Sequence, residues 1–118
     1  MDRLQKLLGA LGADAAFVEK SEEEYREAVR QFLIGQDFMR LGHCIQGKQW
    51  HLVLSNSARL KQHCSELGIT CFDNYLRAIR YAARRQNEAE CLQSMSRITA
   101  KRVQLRNMLA EDNETCDM

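Results

Sequence analysis

Apolar positions recur along this chain in steps of three and four residues, which is the period of helices packed on other helices. The most continuous pattern is residues 49–68, QWHLVLSNSARLKQHCSELG, and Gly68 supplies a stop signal at its end. Its apolar and small positions are Trp50, Val53, Ser57, Leu60, Cys64 and Leu67. We therefore predict a central helix with this face in the core and the opposite face turned outward.

The flanking segments carry the same period together with start and stop signals. Residues 2–11 predict a short amphipathic helix that lies on the rest of the domain as a lid, because so short a helix is marginal alone. Gly12 ends this helix, and Gly35 interrupts the next one. Ser21 and Asn87 open capping boxes, each with a glutamate three residues on, and predict helix starts. The other predicted caps are Asp14, Asp37 and Thr70.

Buried faces follow from the same spacing. The helix that starts at Ser21 is expected to bury Tyr25, Ala28, Val29, Phe32 and Leu33. In the long last helix only Arg102 breaks an apolar stripe made of Cys91, Met95, Ile98, Leu105 and Leu109. The residues predicted to share one core are Trp50, Val53, Leu60, Leu67, Phe72, Leu76, Ile79, Met95 and Ile98.

Composition favours an all-helical fold. β-branched residues are few, there is no proline, and no run alternates apolar and polar positions in period two. We predict one all-α domain over residues 1–118, with an ordered core of about 3–110 and a polar tail, 111–118, that frays. Short connections predict an up-and-down four-helix bundle, one of whose helices is broken near Gly35, with the N-terminal helix packed across its end.

Charge and cysteine usage exclude several classes of function. Seventeen basic against sixteen acidic residues give a net charge of +1, which argues against nucleic acid as a partner. The five cysteines show no CxxC spacing and the three histidines no i, i+4 pair, so we expect reduced thiols, no metal and no cofactor. No stretch approaches the ~20 apolar residues of a membrane span, and the N-terminus is too weak for a secretory signal. The expected location is cytoplasmic.

Residues 58–69, ARLKQHCSELGI, resemble the active helix of the histidine-containing phosphotransfer (HPt) family, whose pattern there runs roughly HxLKGxxxxLG. The positions in register are Leu60, Lys61, Leu67 and Gly68. The likeness covers roughly residues 4–110. It implies the family's four-helix bundle and a protein partner, a response-regulator receiver domain or a histidine kinase domain of a two-component phosphorelay.

The chain departs from the family at the residues that would carry its chemistry. The resemblance places Ala58 in the slot of the phosphorylated histidine and Gln62 in that of a glycine that lets the partner approach. Only Lys61, which would neutralise phosphate charge, is kept. Because an alanine methyl cannot accept a phosphoryl group, the resemblance implies a non-catalytic pseudo-phosphotransfer module, not an enzyme.

The expected partner-binding face is the outer side of the central helix, comprising Leu54, Ser55, Ala58, Lys61, Gln62 and Ser65. Basic clusters in 77–85 and 97–106 are either solvated faces or a strip for an acidic partner or nucleic acid. Two alternatives stay open. One is an active phosphotransfer protein that uses His51, two turns before Ala58, and the other is a structural helical bundle that self-associates.

Overall fold

A computed structural model of the chain describes residues 3–18 and 21–116, with side chains described as far as Ala110. The helices are α1 (Arg3–Leu11), α2 (Glu22–Ile34), α3 (Gln36–Gln46), α4 (Trp50–Leu67), α5 (Asp73–Arg84) and α6 (Glu88–Cys116), with a 3₁₀ turn at Ala15–Phe17. No strand occurs in these residues, so the all-α prediction is confirmed for them.

One hydrophobic core joins the helices. Helix α4 packs between α3 and α5, and α6 packs on α1, α2, α3 and α5. Of the nine residues predicted to share a core, six are fully buried in it, and the other three, Trp50, Leu67 and Met95, are partly buried and pack against it. The arrangement as an HPt-like four-helix bundle stays a prediction.

Three of the predicted capping residues accept a hydrogen bond from a backbone amide at the start of the helix or turn that follows them. The Oγ of Ser21 accepts a hydrogen bond from the Glu24 amide at 3.0 Å, and Oδ1 of Asn87 accepts one from the Glu90 amide at 3.1 Å. Asp14 caps the 3₁₀ turn in the same way, through the Ala16 amide. Each cap satisfies an amide that has no partner inside its own helix.

Three local predictions were wrong. Thr70 does not cap α5, which starts after Phe72, because its hydroxyl donates to the carbonyl of Gly12 at 2.7 Å. Asp37 lies inside the first turn of α3, whose N-cap is Gly35. Ala28 is exposed because the buried stripe of α2 runs through residues 25, 29 and 33.

Arg102 breaks the stripe of α6 for a structural reason. Its Nε and Nη2 donate to the carbonyl of Leu33 at 3.1 and 2.5 Å, and its guanidinium lies 4.3 Å from the ring centre of Phe38. Leu33 is in the last turn of α2, where carbonyls lack intrahelical partners and a cation suits the helix dipole. Arg102 on α6 thus caps the C-terminal end of α2, next to the break between α2 and α3.

Helix α6 continues to Cys116, past residue 111, where the tail was predicted to fray. Residues 117–118 lie outside the described residues.

Replacing Arg102 by methionine is expected to lower the free energy of unfolding by about 1–3 kcal/mol, because it leaves the Leu33 carbonyl without its charged donor. Methionine keeps a similar length and apolar stem. The matched control is Arg106→Met, an exposed arginine one turn further along the same helix. Urea unfolding of both variants measures the difference, and equal losses would contradict a capping role for Arg102.

Candidate docking face on helix α4

The outer side of α4 is exposed as predicted. Because Val53, Leu60 and Cys64 fill the core side, the helix period turns the other side to solvent. The exposed residues are Ser55, Ala58, Lys61, Gln62 and Ser65. The prediction was wrong for Leu54, which is half-buried and packs against the core. It therefore offers little surface to a partner.

This surface is low in relief. The hydroxyl of Ser55 donates to the carbonyl of Leu52 at 3.2 Å, and that of Ser65 donates to the carbonyl of Lys61 at 3.0 Å. Serines bonded to their own helix project little, and Ala58 between them carries only a methyl group. A partner could therefore approach the α4 backbone closely beside Ser55 and Ala58, whereas the longer side chain of Gln62 is exposed one turn further along.

Lys61 is engaged by a residue that sequence reasoning did not select. Its Nζ lies 2.8 Å from Oδ2 of Asp73 in the first turn of α5, and the two side chains are 47% and 22% exposed. The other carboxylate oxygen of Asp73 is buried with no hydrogen-bond partner among the described residues. An exposed pair of this kind contributes about 0–1 kcal/mol. An anion that approached Lys61 would therefore compete with Asp73.

Phe17 of the N-terminal segment and Tyr25 of α2 cover the C-terminal end of α4 and leave its middle open. The Tyr25 hydroxyl donates to the carbonyl of Leu67 at 2.8 Å, and burial raises the pKa of this phenol. Gly68 follows with φ of +73°, and a Cβ there would lie 2.4 Å from the Phe17 ring. Because these contacts lie at Leu67 and Gly68, nine and ten residues beyond Ala58, they leave Ala58 exposed.

The three histidines occupy different settings. His51 and His43 are exposed, on α4 and α3. His63 is half-buried: its Nδ1 lies 2.9 Å from Oδ2 of Asp37, and its ring meets the edge of Phe32. The predicted cap Asp37 therefore braces α3 against α4, and this pair lines a shallow cleft of about 370 Å³.

Burial makes two of the four described thiols poor nucleophiles. Cys44, Cys64, Cys71 and Cys91 are free. Burial raises the pKa of the Cys64 thiol to about 12 and that of Cys71 to about 11, which leaves little of the nucleophilic thiolate near neutral pH. Within the described part of the chain no group of three His, Cys, Asp or Glu side chains is placed to hold a metal ion.

The basic clusters divide once their surroundings are known. Arg85, the residue that follows α5, pairs with Glu90, whereas Arg77, Arg80 and Arg84 within α5 are exposed and have no ion pair among the described residues. On α6, Lys101 and Arg102 are half-buried, and of this cluster only Arg97 and Arg106 are exposed. A continuous row of exposed arginines is therefore present on α5 and not on α6, and its role as a solvated face or a binding strip stays open.

Comparison with known proteins identified no relative. No family model matches the chain, and no curated protein or solved structure matches it at a significant level. The HPt resemblance therefore stays a prediction from the residues of α4. Among the helices of the described residues, none combines the length and the apolar character needed to cross a membrane.

Proposed function

We propose that this protein is a non-catalytic pseudo-phosphotransfer module that binds a receiver or histidine kinase domain of a two-component system through the outer face of α4. The observation that carries the proposal is the exposure of Ala58, Gln62 and Ser65 on a helix otherwise held by the core. The sequence resemblance in this helix supplies the class of partner.

Three features of α4 argue against phosphoryl transfer at the Ala58 slot. Ala58 has no nucleophile, and Gln62 places a long side chain where a partner would need to approach. Lys61, the remaining charged group of the motif, is bonded to Asp73. Transfer needs reacting atoms within about 3–3.5 Å of one another, so each feature opposes it separately.

Incubation with a phosphorylated receiver domain is expected to leave the native protein unlabelled. Ala58→His alone should recover little transfer because Gln62 still crowds the approach, and Ala58→His with Gln62→Gly should recover on the order of tenfold more. Adding Asp73→Asn should increase transfer again, because it releases Lys61. Acid-labile label on the protein, followed in gels over time, is the measurement.

The controls separate the alternatives. Strong phosphohistidine on the native protein that disappears in His51→Ala would overturn the non-catalytic proposal in favour of the exposed His51. Calorimetric titration with receiver domains of the same genome tests docking itself. If none binds the native protein or the double variant, the docking proposal fails, and sedimentation analysis then tests the self-associating bundle.

A further inference from the structure

A shallow groove follows the outer surface of α5 and reaches α4 at Lys61, beside the docking face. It consists of two adjoining depressions of about 140 and 230 Å³. The first is lined by Lys61, Asp73, Leu76, Arg77 and Arg80, and the second by Arg77, Arg80, Tyr81 and Arg84. Because Arg77 and Arg80 line both, the two form one surface, which we call the α4–α5 basic groove.

The three arginines of this groove have no acidic partner within the described residues, while several other arginines do. Arg26, Arg30, Arg40 and Arg85 each lie in an ion pair with a glutamate or an aspartate. Arg77, Arg80 and Arg84 instead follow one another at spacings of three and four residues, which places like charges side by side on one face of α5. Such neighbouring like charges destabilise a helix. The fold thus holds an uncompensated positive stripe.

The groove's own carboxylate does not neutralise this stripe. Among the described residues that line it, Asp73 alone is acidic, and its carboxylate is bonded to Lys61. The arginines therefore dominate the local potential, although the whole chain carries a net charge of only +1. Such local asymmetry favours an anionic ligand of limited size over a long polyanion.

The chemistry of the lining favours an acidic protein segment. Arginine binds carboxylates through paired N–H donors, and arginine and tyrosine are enriched at protein interfaces. Tyr81, 60% exposed beside the arginines, offers an aromatic surface for the stem of a bound side chain. Nucleic acid fits less well, because its binding depends on many phosphate contacts along a longer basic surface.

We propose that the α4–α5 basic groove binds an acidic segment of the partner protein, with its carboxylates on Arg77, Arg80 and Arg84. The seven-residue rise from Arg77 to Arg84 is about 10 Å, which about three residues of extended chain would span. The inference rests on the proposed docking function, since Lys61 belongs to both the α4 face and the groove. To the proposed docking function the groove adds two points: the partner is recognised by its negative charge, and it contacts α5 as well as α4.

The test uses a fluorescein-labelled decaglutamate peptide, with binding followed by fluorescence anisotropy at low salt. The triple variant Arg77→Gln, Arg80→Gln, Arg84→Gln is expected to weaken binding about tenfold or more. The matched control changes Arg59, Arg97 and Arg106 to glutamine, because these are exposed arginines that do not line the groove. The control should stay within about twofold of the native protein, and circular dichroism checks that both variants fold.

A gain in affinity provides a second readout that damage to the fold would not produce. Asp73→Asn removes the groove's only carboxylate and releases Lys61, so it should tighten binding of the peptide about two- to fivefold. Raising the salt from 20 to 200 mM should weaken binding to the native protein because the contacts are exposed and screened. Equal losses in the two triple variants, or tighter binding of a decathymidine oligonucleotide than of the peptide, would overturn the inference.

Receiver domains separate this inference from the proposed function. If a receiver domain binds the native protein and the triple groove variant with the same affinity, the groove proposal is rejected and docking on α4 stands. Peptide binding with the expected loss in the groove variant, but no binding of any receiver, would support the groove and reject the two-component partner.

Discussion

Replacing Leu60 or Leu76 by alanine will lower the free energy of unfolding by about 2–5 kcal/mol, the usual range for leucine truncation in a core. Leu60 on α4 is 0% exposed and Leu76 on α5 is 1% exposed. Since both belong to the one core that these helices share, the truncated side chain leaves a cavity that neighbouring helices fill only in part. Urea unfolding followed by circular dichroism measures the loss.

The matched control for these truncations is Leu92→Ala. Leu92 lies on α6 and is 39% exposed, so its loss should cost clearly less than that of either buried leucine. Losses below about 0.5 kcal/mol at both buried sites would reject the packing of α4 on α5, because surface substitutions typically stay within that limit.

Replacing Gly68 by alanine is the second large effect, with an expected loss of about 2–4 kcal/mol. Gly68 ends α4 with φ of +73°, a conformation that costs an L-residue about 1–2 kcal/mol. The new Cβ would also lie 2.4 Å from a carbon of the Phe17 ring, closer than any normal contact. Both effects act at the junction that holds the N-terminal segment against α4.

Two further variants separate the contribution of the Phe17 clash from that of the backbone conformation at Gly68. Gly68→Ala combined with Phe17→Ala removes the clash but not the backbone strain, so a double-mutant cycle should show favourable coupling between the sites. Gly9→Ala is the control, because Gly9 lies in α1 with open space around its Cβ position, and alanine there should stabilise by about 0.5–1 kcal/mol. If Gly9→Ala and Gly68→Ala behave alike, the conformation of Gly68 has no special role.

The exposure of the candidate face could be predicted because it depends on one helix. Once the α4 stripe is recognised, the period of 3.6 residues turns Ala58 and Gln62 outward. The groove beside it could not be predicted, since it joins Lys61 of α4 to six residues of α5. The pairing of Lys61 with Asp73 likewise depends on how the two helices lie against each other.

The sequence by itself determined the helical class, the core stripes and the caps at Ser21 and Asn87, because periodicity and capping act within a few residues. Only the tertiary structure decided contacts between distant positions. Thr70 bonds Gly12 across 58 residues, and Arg102 bonds Leu33 across 69. In each case the side chain bonds a backbone carbonyl that folding brings near, and local spacing contains no information about such a partner.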